Sequence, residues 1–471
     1  MTQFILNNTE IKTTLSPGMT LLDFVRYNQH LTGTKIGCRE GDCGACTMLI
    51  GTLTDGRMKY QAVTSCLMPI GNAHGKHVVT IEGINLKELT LVQESFAQFG
   101  ATQCGFCTPG FIVSLTGYCL DEKSPSSEKA IDAVNGNICR CTGYKSIEKA
   151  AYSVSEILTS RQGVDAISFA VKNNIVPEYF LKIPEKIKLI QANPYIVSTN
   201  KKVGGGTDLY VQQHDTIANE TIDFLLDQDY LKGITQVGNA CEMGASTTVA
   251  EMSDDPILNL HFKNLQKYFK LVSSVPIRNM ATVAGNFTNA SPIGDLTIMF
   301  LALDAQLELS DDQQKRNIAL RDFYKGYKQL DKNSNEIIEK IRFELPATTD
   351  FFNFEKVSKR THLDIASVNS AILLQMNGDV IETAGLSAGG VGPIPKYLSR
   401  SSAFLKGKSV TEKIIMELIE LVQEEISPIS DARGTEQYKR LLLSQLIKAH
   451  FIGFFPLLKK DLLLSNGLIG Q

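Results

Sequence analysis

Eight of the ten cysteines in this chain form two groups of four within its first third. The first group is Cys38, Cys43, Cys46 and Cys66, and the second is Cys104, Cys107, Cys139 and Cys141. Iron–sulfur clusters are held by cysteine thiolates, four to a cluster. Eight thiolates at these spacings are enough for two clusters, which predicts that the N-terminal third of the chain conducts electrons.

The first group has the plant-type 2Fe-2S spacing, in which four residues and then two residues separate the first three cysteines and the fourth is distant. We expect Gly37, Gly41 and Gly44 to adopt positive φ, so that the loop wraps a cluster and directs its N–H groups at the sulfurs. A closed zinc site is the main competing interpretation, although zinc ribbons favour two short Cys-x-x-Cys knuckles. A disulfide framework suits small secreted chains, whereas this chain has 471 residues and no recognisable signal peptide.

The second group has a less common pattern. Cys104-x-x-Cys107 alone is ambiguous between a redox pair, a zinc knuckle and chance. A threonine and a proline follow it and predict a helix start, where the helix dipole favours thiolates. We expect Cys139 and Cys141, with one residue between them, to ligate one iron. A structural zinc site stays an open alternative for this group.

The bulk properties narrow the class of protein. A net charge of −3 gives no indication of nucleic-acid binding. No apolar run reaches the roughly 18 residues of a transmembrane helix. Reduced cysteines without an export signal predict a cytoplasmic protein. The remaining cysteines, Cys119 and Cys241, have no partner pattern, and we expect a reactive role for neither. Cys119 lies in an apolar helical stretch and is expected to be a packed core thiol.

Hydrophobic patterns divide the chain into segments. We expect a hairpin around Asn7 and a helix capped by Thr20 ahead of the cysteine loop, and then helices that start near Thr90, Thr108 and Ser127. Residues of about 159–178 show only a weak hydrophobic period, and we predict a linker between two domains there. Toward the C-terminus, an Asn-Gly pair at 377–378 predicts another hairpin, and helices are expected from about residues 411 and 435.

Two later segments could bind an anionic group. Three glycines, Gly204 to Gly206, follow an apolar stretch and expose successive N–H groups that can cradle a pyrophosphate, although an ordinary tight turn explains such a triplet equally simply. The triplet is not the GxGxxG dinucleotide fingerprint. The segment 275–307 is rich in small residues and leads into a helix that Asp295 is expected to cap, which also suits an anion. A Gly/Asn-rich turn is the alternative for this segment.

Longer runs carry a resemblance to a known family. The runs "GCREGDCGACT", "QCGFCTPGF" and "GNICRCTGY" resemble the signature runs of the molybdenum hydroxylases, the family of xanthine dehydrogenase and aldehyde oxidase. The runs "IRN…GN…SPIGDL", "FEKVSKRTHLDIASVNSAILL" and "GLSAGGVGPIP" resemble its flavin-binding part. Asp42 and Ala284 stand where the family commonly has glycine, and Lys145-Ser146 where it has Arg-Pro. None of these departures removes a cysteine.

The resemblance implies an α+β multidomain fold in a fixed order. A β-grasp, ferredoxin-like 2Fe-2S domain is expected at 1–82 and a four-helix 2Fe-2S domain at 83–160. A linker at 161–178 leads to an α+β FAD-binding domain at 179–345 and an α+β flavoprotein C-terminal domain at 346–471. The molybdenum domain of full-length members lies beyond these four, so the chain is similar to the small subunit of a bacterial, split member of the xanthine dehydrogenase type.

The resemblance also implies cofactors and partners. The eight cysteines would hold two 2Fe-2S clusters, and the chain would bind FAD and pass electrons to NAD. The molybdenum cofactor would lie on a large partner subunit, in a heterotetramer of two small and two large subunits, with no nucleic acid or membrane partner. No catalytic residue is expected on this chain. The FAD contacts implied by position are Val203, Gly204, Gly205, Gly206, Thr207, Asp208, Leu209, Thr282, Gly285, Asn286, Asp295, Ile341 and Lys356.

Two other functions are kept as alternatives. The first is the same subunit of an aldehyde, nicotinate or other aromatic-heterocycle hydroxylase, because the substrate pocket lies on the partner. The second is a non-enzymatic iron–sulfur sensor, against which the flavin segments argue, since a sensor needs no flavin. NAD as the acceptor rests on the resemblance alone.

Overall fold

The computed structural model describes residues 1–190, 200–311, 313–360 and 363–464. It forms two compact units. The first contains residues 1–227 and 274–281, and the second contains residues 228–273 and the chain from residue 282 onward. The segment predicted as one FAD-binding domain, 179–345, is therefore divided between the two units.

The first unit begins with a five-stranded mixed sheet in the order β2–β1–β5–β3–β4. Its strands are β1 (Thr2–Leu6), β2 (Thr9–Thr13), β3 (Thr47–Thr54), β4 (Arg57–Thr64) and β5 (His77–Val79). β1 and β2 form the predicted hairpin, with Asn7 in the turn at a φ of 54°. Thr20 caps the predicted helix, Leu21–Asp23, which continues as a π-helix over Phe24–Asn28. A 3-10 turn at Ile70–Ala73 precedes β5.

The helical part of the unit follows the sheet. Its helices are Ile81–Ile84, Leu91–Gln98, Thr108–Cys119, Ser127–Ala133 and Lys145–Leu158. The predicted starts are confirmed: Thr90 closes a capping box with Gln93, and the side chain of Ser126 caps the helix that begins one residue later. Apolar side chains such as Phe111 and Leu115 form one core with the facing side of the sheet.

The segment predicted as a linker is a packed element instead. It contains the helix Ala166–Lys172, which the carboxylate of Asp165 caps. The side chains of Ile167, Phe169 and Ala170 join the core of the preceding helices. Two turns of apolar residues are too short to give a clear period in a sequence window, and their burial comes from tertiary packing. The 3-10 turns Thr159–Arg161 and Glu178–Lys182 and the helix Ile183–Lys188 complete this stretch.

The rest of the first unit packs on the N-terminal sheet. Strands β6 (Lys201–Val203) and β7 (Ile222–Phe224) form a parallel pair, accompanied by the short helices Leu209–Gln212, His214–Ile217 and Val275–Arg278. The side chains of Tyr210 and Met280 lie in one hydrophobic core with Leu22 and Leu67. The three predicted glycines after β6 therefore belong to the same core as the first cysteine group.

The second unit contains an antiparallel sheet in the order β11–β10–β14–β9–β8. Its strands are β8 (Ile234–Val237), β9 (Ala240–Gly244), β10 (Gln306–Ser310), β11 (Lys315–Ala319) and β14 (Ile337–Glu344), and β12 (Tyr324–Gly326) and β13 (Gln329–Leu330) form a separate hairpin. The helices of this part are Val249–Asp254, Pro256–His261, Leu265–Lys270, Val283–Asn289, Asp295–Ala302 and Leu320–Phe323, and a 3-10 turn spans Asp229–Leu231.

A four-stranded antiparallel sheet and helices end the second unit. The strands are β15 (Phe351–Val357), β16 (Val368–Asn377), β17 (Val380–Gly389) and β18 (Lys396–Tyr397). Gly378, at a φ of 60°, makes the predicted turn between β16 and β17. The helices are Ser399–Leu405, Glu412–Glu425, Glu436–Phe454 and Lys459–Leu464, with a 3-10 turn at Pro456–Leu458. Over the ranges that the structure describes, no helix has the length and apolar character needed to cross a membrane.

Candidate iron–sulfur and flavin sites

The loop that carries the first three cysteines is shaped by glycines in two different ways. Gly41 and Gly44 adopt the predicted positive φ, at 81° and 67°. Gly37 does not, which corrects the prediction for that residue. A side chain on Gly37 would stand 2.6 Å from the sulfur of Cys43, so this glycine is required for close approach to a sulfur and not for its backbone conformation.

The loop directs N–H groups at the sulfurs, as its glycines predicted. The N–H of Cys38 donates to the sulfur of Cys43 at 3.4 Å, and the N–H of Glu40 donates to the sulfur of Cys38 at 3.3 Å. The N–H of Gly41 also donates to the sulfur of Cys66. Such donors stabilise negative charge on sulfur, which a thiolate ligand carries.

The four sulfurs of the first group occur as two pairs. Cys38 and Cys43 share a hydrogen bond that lowers the pKa of Cys38 to about 5 and raises that of Cys43. Cys46 and Cys66 do the same in a buried position, with the pKa of Cys46 lowered and that of Cys66 raised. Each pair therefore contains two thiols that are hydrogen-bonded to each other, and in each pair one thiolate is favoured.

The second group is paired differently from the sequence prediction. The sulfur of Cys141 lies 3.7 Å from that of Cys104, and the thiols of Cys107 and Cys139 are hydrogen-bonded to each other. Cys139 and Cys141 are thus not a pair. The single residue between them turns their side chains to different partners, and each pair joins one cysteine of the 104–107 turn to one of the 139–141 turn.

Hydrogen bonds and burial also set the acidity of the second group. Burial, followed by the hydrogen bond with Cys139, raises the pKa of Cys107 to about 12. Burial alone would raise the pKa of Cys139, but the hydroxyl and N–H of Thr142 donate to its sulfur and lower it overall. The pair precedes the helix Thr108–Cys119 as predicted, but Cys107 and not Thr108 occupies the N-cap position.

The sulfur pairs fit clusters with two thiolates on each iron. Two sulfurs on one tetrahedral metal with bonds of about 2.3 Å lie roughly 3.8 Å apart, close to the separation of Cys104 and Cys141. Within the described residues, no set of three His, Cys, Asp or Glu side chains converges as a site for a single metal ion. Pairs, and not a convergent foursome, are the arrangement that a binuclear cluster requires.

The two cysteine groups are joined by the main chain. The N–H of Ile138, the residue before Cys139, donates to the carbonyl of Cys43 at 3.0 Å. Beside this bond, the amide of Asn137 donates to the carbonyl of Gly44 at 3.0 Å. A side chain on Gly44 would collide with the carbonyl of Gly136, so the contact between the two loops depends on this glycine.

The two groups differ in their exposure to solvent. Cys46 and Cys66 are buried, whereas Cys104 and Cys141 are exposed. Phe106, Ile138 and Tyr144 are also exposed around the second group. The second group thus lies at an apolar surface, and half of the first group is covered by protein.

All ten cysteines are free. Cys119 is buried as predicted, and Cys241 is buried as well. Burial raises the pKa of Cys119, and it raises the pKa of Cys241 to about 12. Raised pKa values leave these thiols protonated at neutral pH, so neither is prepared for thiolate chemistry.

The glycine triplet follows strand β6 as predicted, and each glycine has a different neighbour. The carbonyl of Gly204 accepts from the amide of Asn72 at 2.8 Å. A side chain on Gly205 would collide with the carbonyl of Met280. Gly206 has a φ of 85° and faces the carbonyl of Leu67, the residue after Cys66. The loop Val203–Leu209 is therefore a tight backbone turn beside the fourth cysteine of the first group.

In the second unit, the predicted anion segment is organised around two helix starts. Thr282 caps the helix Val283–Asn289 by accepting the N–H of Gly285 at 3.1 Å. The side-chain oxygen of Asn286 accepts the N–H and the hydroxyl of Thr297 at 3.1 and 2.9 Å. Asn286 thus satisfies the first turn of the next helix, a role that the sequence assigned to Asp295.

Asp295 forms an ion pair instead of a cap. Its carboxylate lies 2.6 Å from the ammonium group of Lys356, which also donates to the carbonyl of Leu271 at 2.7 Å. The side chain of Lys356 is only 2% exposed. Burial requires that this cation be paired, and the pair explains why Asp295 is not available to cap its own helix. The structure brings together these two residues that the sequence predicted separately.

One residue predicted to contact FAD lies in the middle of a sheet, and one residue that contacts Asp295 was not predicted. Ile341 is fully buried in the centre of strand β14, opposite Met243 and Leu307. Asn369, which the sequence did not single out, donates to the carboxylate of Asp295 at 2.6 Å and to the carbonyl of Ile293 at 3.2 Å. The sequence feature that could have indicated Asn369 is a polar residue at an inward-facing position of an otherwise apolar strand.

Comparison with protein families accounts for most of the chain. A 2Fe-2S iron–sulfur cluster binding domain matches residues 4–71, and a [2Fe-2S] binding domain matches residues 80–152. The FAD binding domain in molybdopterin dehydrogenase matches residues 182–347, and the CO dehydrogenase flavoprotein C-terminal domain matches residues 354–452.

Curated relatives resemble the chain over nearly its full length. It is 28% identical to a xanthine dehydrogenase of Blastobotrys adeninivorans, over 98% of this chain and 41% of the relative. It is 28% identical to xanthine dehydrogenase 1 of Arabidopsis thaliana, over 91% of this chain and 38% of the relative. It is 26% identical to aldehyde oxidase 2 of Macaca fascicularis, over 99% of this chain and 40% of the relative. The chain thus spans about two fifths of the length of these relatives.

Solved structures share the fold of part of the chain. A carbon monoxide dehydrogenase from Hydrogenophaga pseudoflava matches with a TM-score of 0.51 at 23% identity, over 54% of this chain and 88% of that chain. A Cu,Mo-CO dehydrogenase matches with a TM-score of 0.50 at 24% identity, over 53% and 87%. Two 2Fe-2S domains followed by an FAD-binding domain and a flavoprotein C-terminal domain indicate an electron-transfer component with iron–sulfur and FAD domains, similar to part of the xanthine dehydrogenases and the aldehyde oxidase described above.

Proposed function

We propose that this chain is the electron-transfer subunit of a cytoplasmic xanthine dehydrogenase. A large subunit with a molybdenum cofactor oxidises hypoxanthine or xanthine, and two small and two large subunits form a heterotetramer. Electrons reach the second cysteine group first, pass to the first group, then to FAD and finally to NAD. The eight cysteines hold two 2Fe-2S clusters, which carry single electrons, and the flavin exchanges two electrons with NAD.

The hydrogen bond from Ile138 to Cys43 is the observation that carries this proposal. Its donor is one residue from a ligand of the second cluster, and its acceptor belongs to a ligand of the first. The route between the two clusters therefore consists of covalent bonds and one main-chain hydrogen bond inside a single compact unit. That arrangement supports transfer between the two clusters within the chain.

The exposed second group supports docking of the molybdenum subunit at that surface. The side chains of Phe106, Ile138 and Tyr144 are 47%, 38% and 40% exposed beside Cys104 and Cys141. Apolar and aromatic residues at a polar-rimmed surface are typical of protein interfaces. A partner seated there brings its own redox centre to the outermost thiolates of this chain.

The position of the glycine loop supports the next step, from the first cluster to FAD. Leu67 follows ligand Cys66 and its carbonyl faces Gly206. Asn72 holds the same loop through Gly204. We propose that Val203–Leu209, Thr282, Gly285 and Asn286 bind the flavin nucleotide and that Asp295, Ile341 and Lys356 contribute further contacts.

The substrate of the partner is inferred from the relatives. The two xanthine dehydrogenases and the aldehyde oxidase have nearly the same identity to this chain, 28% and 26%. The relatives of xanthine dehydrogenase type favour a purine, and an aldehyde or another aromatic heterocycle is the alternative that the experiment must separate.

Stopped-flow mixing of the purified chain with NADH tests the flavin end. We expect flavin absorbance to bleach first and cluster absorbance to follow. Gly205→Ala should lose flavin while keeping both clusters, because its methyl group collides with the carbonyl of Met280. Gly453→Ala, in a helix with open space around it, is the matched control and should keep flavin. Flavin that stays oxidised in NADH would exclude NAD as the acceptor.

Co-expression with the molybdenum subunit tests the other end. We expect turnover from xanthine to NAD and a light-scattering mass equal to two copies of each subunit. Cys139→Ser should stop that turnover and spare reduction of an acceptor dye by NADH. A complex that oxidises aldehydes or nicotinate but not xanthine would select the alternative substrate class.

A further inference from the structure

We propose that Arg39 is a positioning residue for electron transfer between the first cluster and the flavin. Its guanidinium contacts His214, which lies in the segment that follows the glycine loop, and thereby links the cysteine loop to that segment. The ion pair with Asp23 orients the guanidinium. We call the contact between Arg39 and His214 the tie. The inference rests on the proposed order of electron transfer given above. All three residues lie in the first compact unit.

The orientation of Arg39 is fixed by a two-point ion pair. Its Nη1 lies 3.0 Å from Oδ2 of Asp23 and its Nη2 lies 2.6 Å from Oδ1. The hydroxyl of Thr20 donates to the same carboxylate at 2.8 Å. The two side chains of the pair are only 28% and 22% exposed. A bidentate pair of this kind fixes the plane of the guanidinium and hence the direction of its remaining N–H groups.

One of those N–H groups meets His214. Nη1 of Arg39 lies 3.0 Å from Nε2 of the imidazole. Arginine only donates, so Nε2 accepts and Nδ1 carries the proton. That Nδ1 is buried and has no hydrogen-bond partner among the described residues. The imidazole is therefore oriented by its contact with Arg39, at the cost of an unsatisfied nitrogen.

The backbone of Arg39 gives an independent indication. Arg39 has a φ of 57°, in the left-handed region that residues with a side chain rarely adopt. It follows ligand Cys38 directly, at a position where glycine would be free of strain. An arginine is held there only if its side-chain contacts offset the strain, which points to a role for the guanidinium.

Other contacts hold the segment after the glycine loop to a different part of the N-terminal region. The hydroxyl of Tyr210 donates to the carbonyl of Gly18 at 2.8 Å, and the hydroxyl of Ser16 donates to the carbonyl of Ala218. These contacts join the segment after the glycine loop to the N-terminal segment, whereas Arg39 joins it to the cysteine loop itself. Because electron-transfer rates fall steeply with distance, a loop released from this tie should transfer electrons more slowly.

Flash reduction tests the tie without NADH. A pulse of photoreduced deazaflavin reduces the bound flavin, and each transfer then oxidises the flavin by one electron and reduces the first cluster by one. We expect Arg39→Gly to keep FAD and both EPR signals and to slow this transfer at least fivefold. Hydrogen exchange in residues 209–217 should become at least tenfold faster. Arg57→Gly, which removes an exposed arginine of the same unit, should change neither.

The histidine variants distinguish loss of the contact between Arg39 and His214 from a general loss of structure. His214→Phe should reproduce the effect of Arg39→Gly, and the double variant should be no slower than either alone. His214→Gln, whose amide oxygen can accept from Arg39, should stay within twofold of the parent rate. If Arg39→Gly loses the first cluster, His214→Phe decides alone, because it leaves the sequence of the cysteine loop unchanged.

Two results would overturn the inference. The first is a rate of electron transfer in His214→Phe equal to that of the parent. The second is a double variant in which the fold-slowing equals the product of the slowings by Arg39→Gly and His214→Phe. A parent chain with no transfer from flavin to cluster would refute the proposed function instead. In that case the exchange measurement decides, and unchanged exchange in residues 209–217 of Arg39→Gly contradicts the tie.

Discussion

The two cysteine regions use the same ligand chemistry in opposite surroundings. In the first, Cys46 and Cys66 are 2% and 1% exposed, beneath the sheet and the segment that carries the glycine loop. In the second, Cys104 and Cys141 are exposed at the ends of helices. Both regions present sulfurs in pairs. The difference teaches that ligation is set by the pairing of thiols, whereas access to a redox partner is set by the elements around them.

The largest expected effect is the separate loss of each cluster. Cys43→Ser should abolish one low-temperature EPR signal and Cys107→Ser the other, because each removes one ligand of one group. Metal analysis should fall from about four to about two irons per chain in either variant. Cys119→Ser and Cys241→Ser are the controls and should keep both signals. Stoichiometric zinc, or one variant that removes both signals, would break the comparison.

The junction between the regions should carry the next largest effect. Asn137 is 5% exposed and donates to the carbonyl of Gly44 and to the hydroxyl of Thr47, while it accepts from Ser114 at 2.8 Å. Asn137→Ala removes the acceptor of the buried Ser114 hydroxyl and one donor each from Gly44 and Thr47, which stay bonded to each other, and should lower the free energy of unfolding by about 1–3 kcal/mol. Urea denaturation measures it. Asn28→Ala, at an exposed position, should stay within about 0.5 kcal/mol, and a similar small loss for Asn137→Ala would mean that the regions are joined elsewhere.

The regions should also respond differently to acid. Burial lowers the pKa of His77 in the first region to about 3, while residues 83–160 contain no histidine. Since this folded-state pKa lies below the unfolded value of about 6.5, the unfolded state binds the extra proton, and stability falls as pH drops from about 6.5 toward 3. At pH 5 the loss should reach about 2 kcal/mol, at roughly 1.4 kcal/mol for each pH unit.

Hydrogen exchange at β5 and in the helix Thr108–Cys119, followed between pH 7 and pH 5, checks this difference. After correction for the intrinsic exchange rate, protection should decline at β5. His77→Gln should remove the decline, although it also weakens the contacts of His77 with Tyr60 and Asn7 at every pH. A decline of equal size in the variant would assign the acid sensitivity to other groups.

The smallest effect is expected at the surface of the second region. Lys145 and Glu148 form an ion pair at 2.6 Å, but the lysine side chain is 83% exposed. Water and salt screen such a pair, so Lys145→Ala should leave the midpoint of thermal unfolding nearly unchanged. Thermal unfolding at low and high salt measures this change. A clear drop in the midpoint at low salt would show that the ion pair stabilises the start of this helix in spite of its exposure.

Local chemistry was readable from the sequence where one segment decides the outcome. The cap at Thr20, the helix starts near Thr90, Thr411 and Thr435 and the turn at Gly378 follow from neighbouring residues alone, and the structure confirms them. The cysteine spacing likewise indicated two groups, because ligand loops are short. These features need no knowledge of the rest of the fold.

Features set by distant residues were predicted less well. The pairing of Cys104 with Cys141 depends on how two turns 37 residues apart meet. Asp295 was expected to cap its helix, and it is paired with Lys356 from a strand 61 residues away. The helix Ala166–Lys172 gains its stability from burial on neighbouring helices, so its short pattern resembled a linker. The proposed FAD contacts are still predictions.

The bond between Ile138 and Cys43 has a consequence for how such a chain changes over generations. Donor and acceptor are both main-chain groups, so replacing the side chain at either position leaves the bond possible, and only proline at 138 removes the donor. Residue 138 can therefore change its side chain, and with it the exposed surface beside the second cysteine group, while the hydrogen bond between the two cysteine loops is kept.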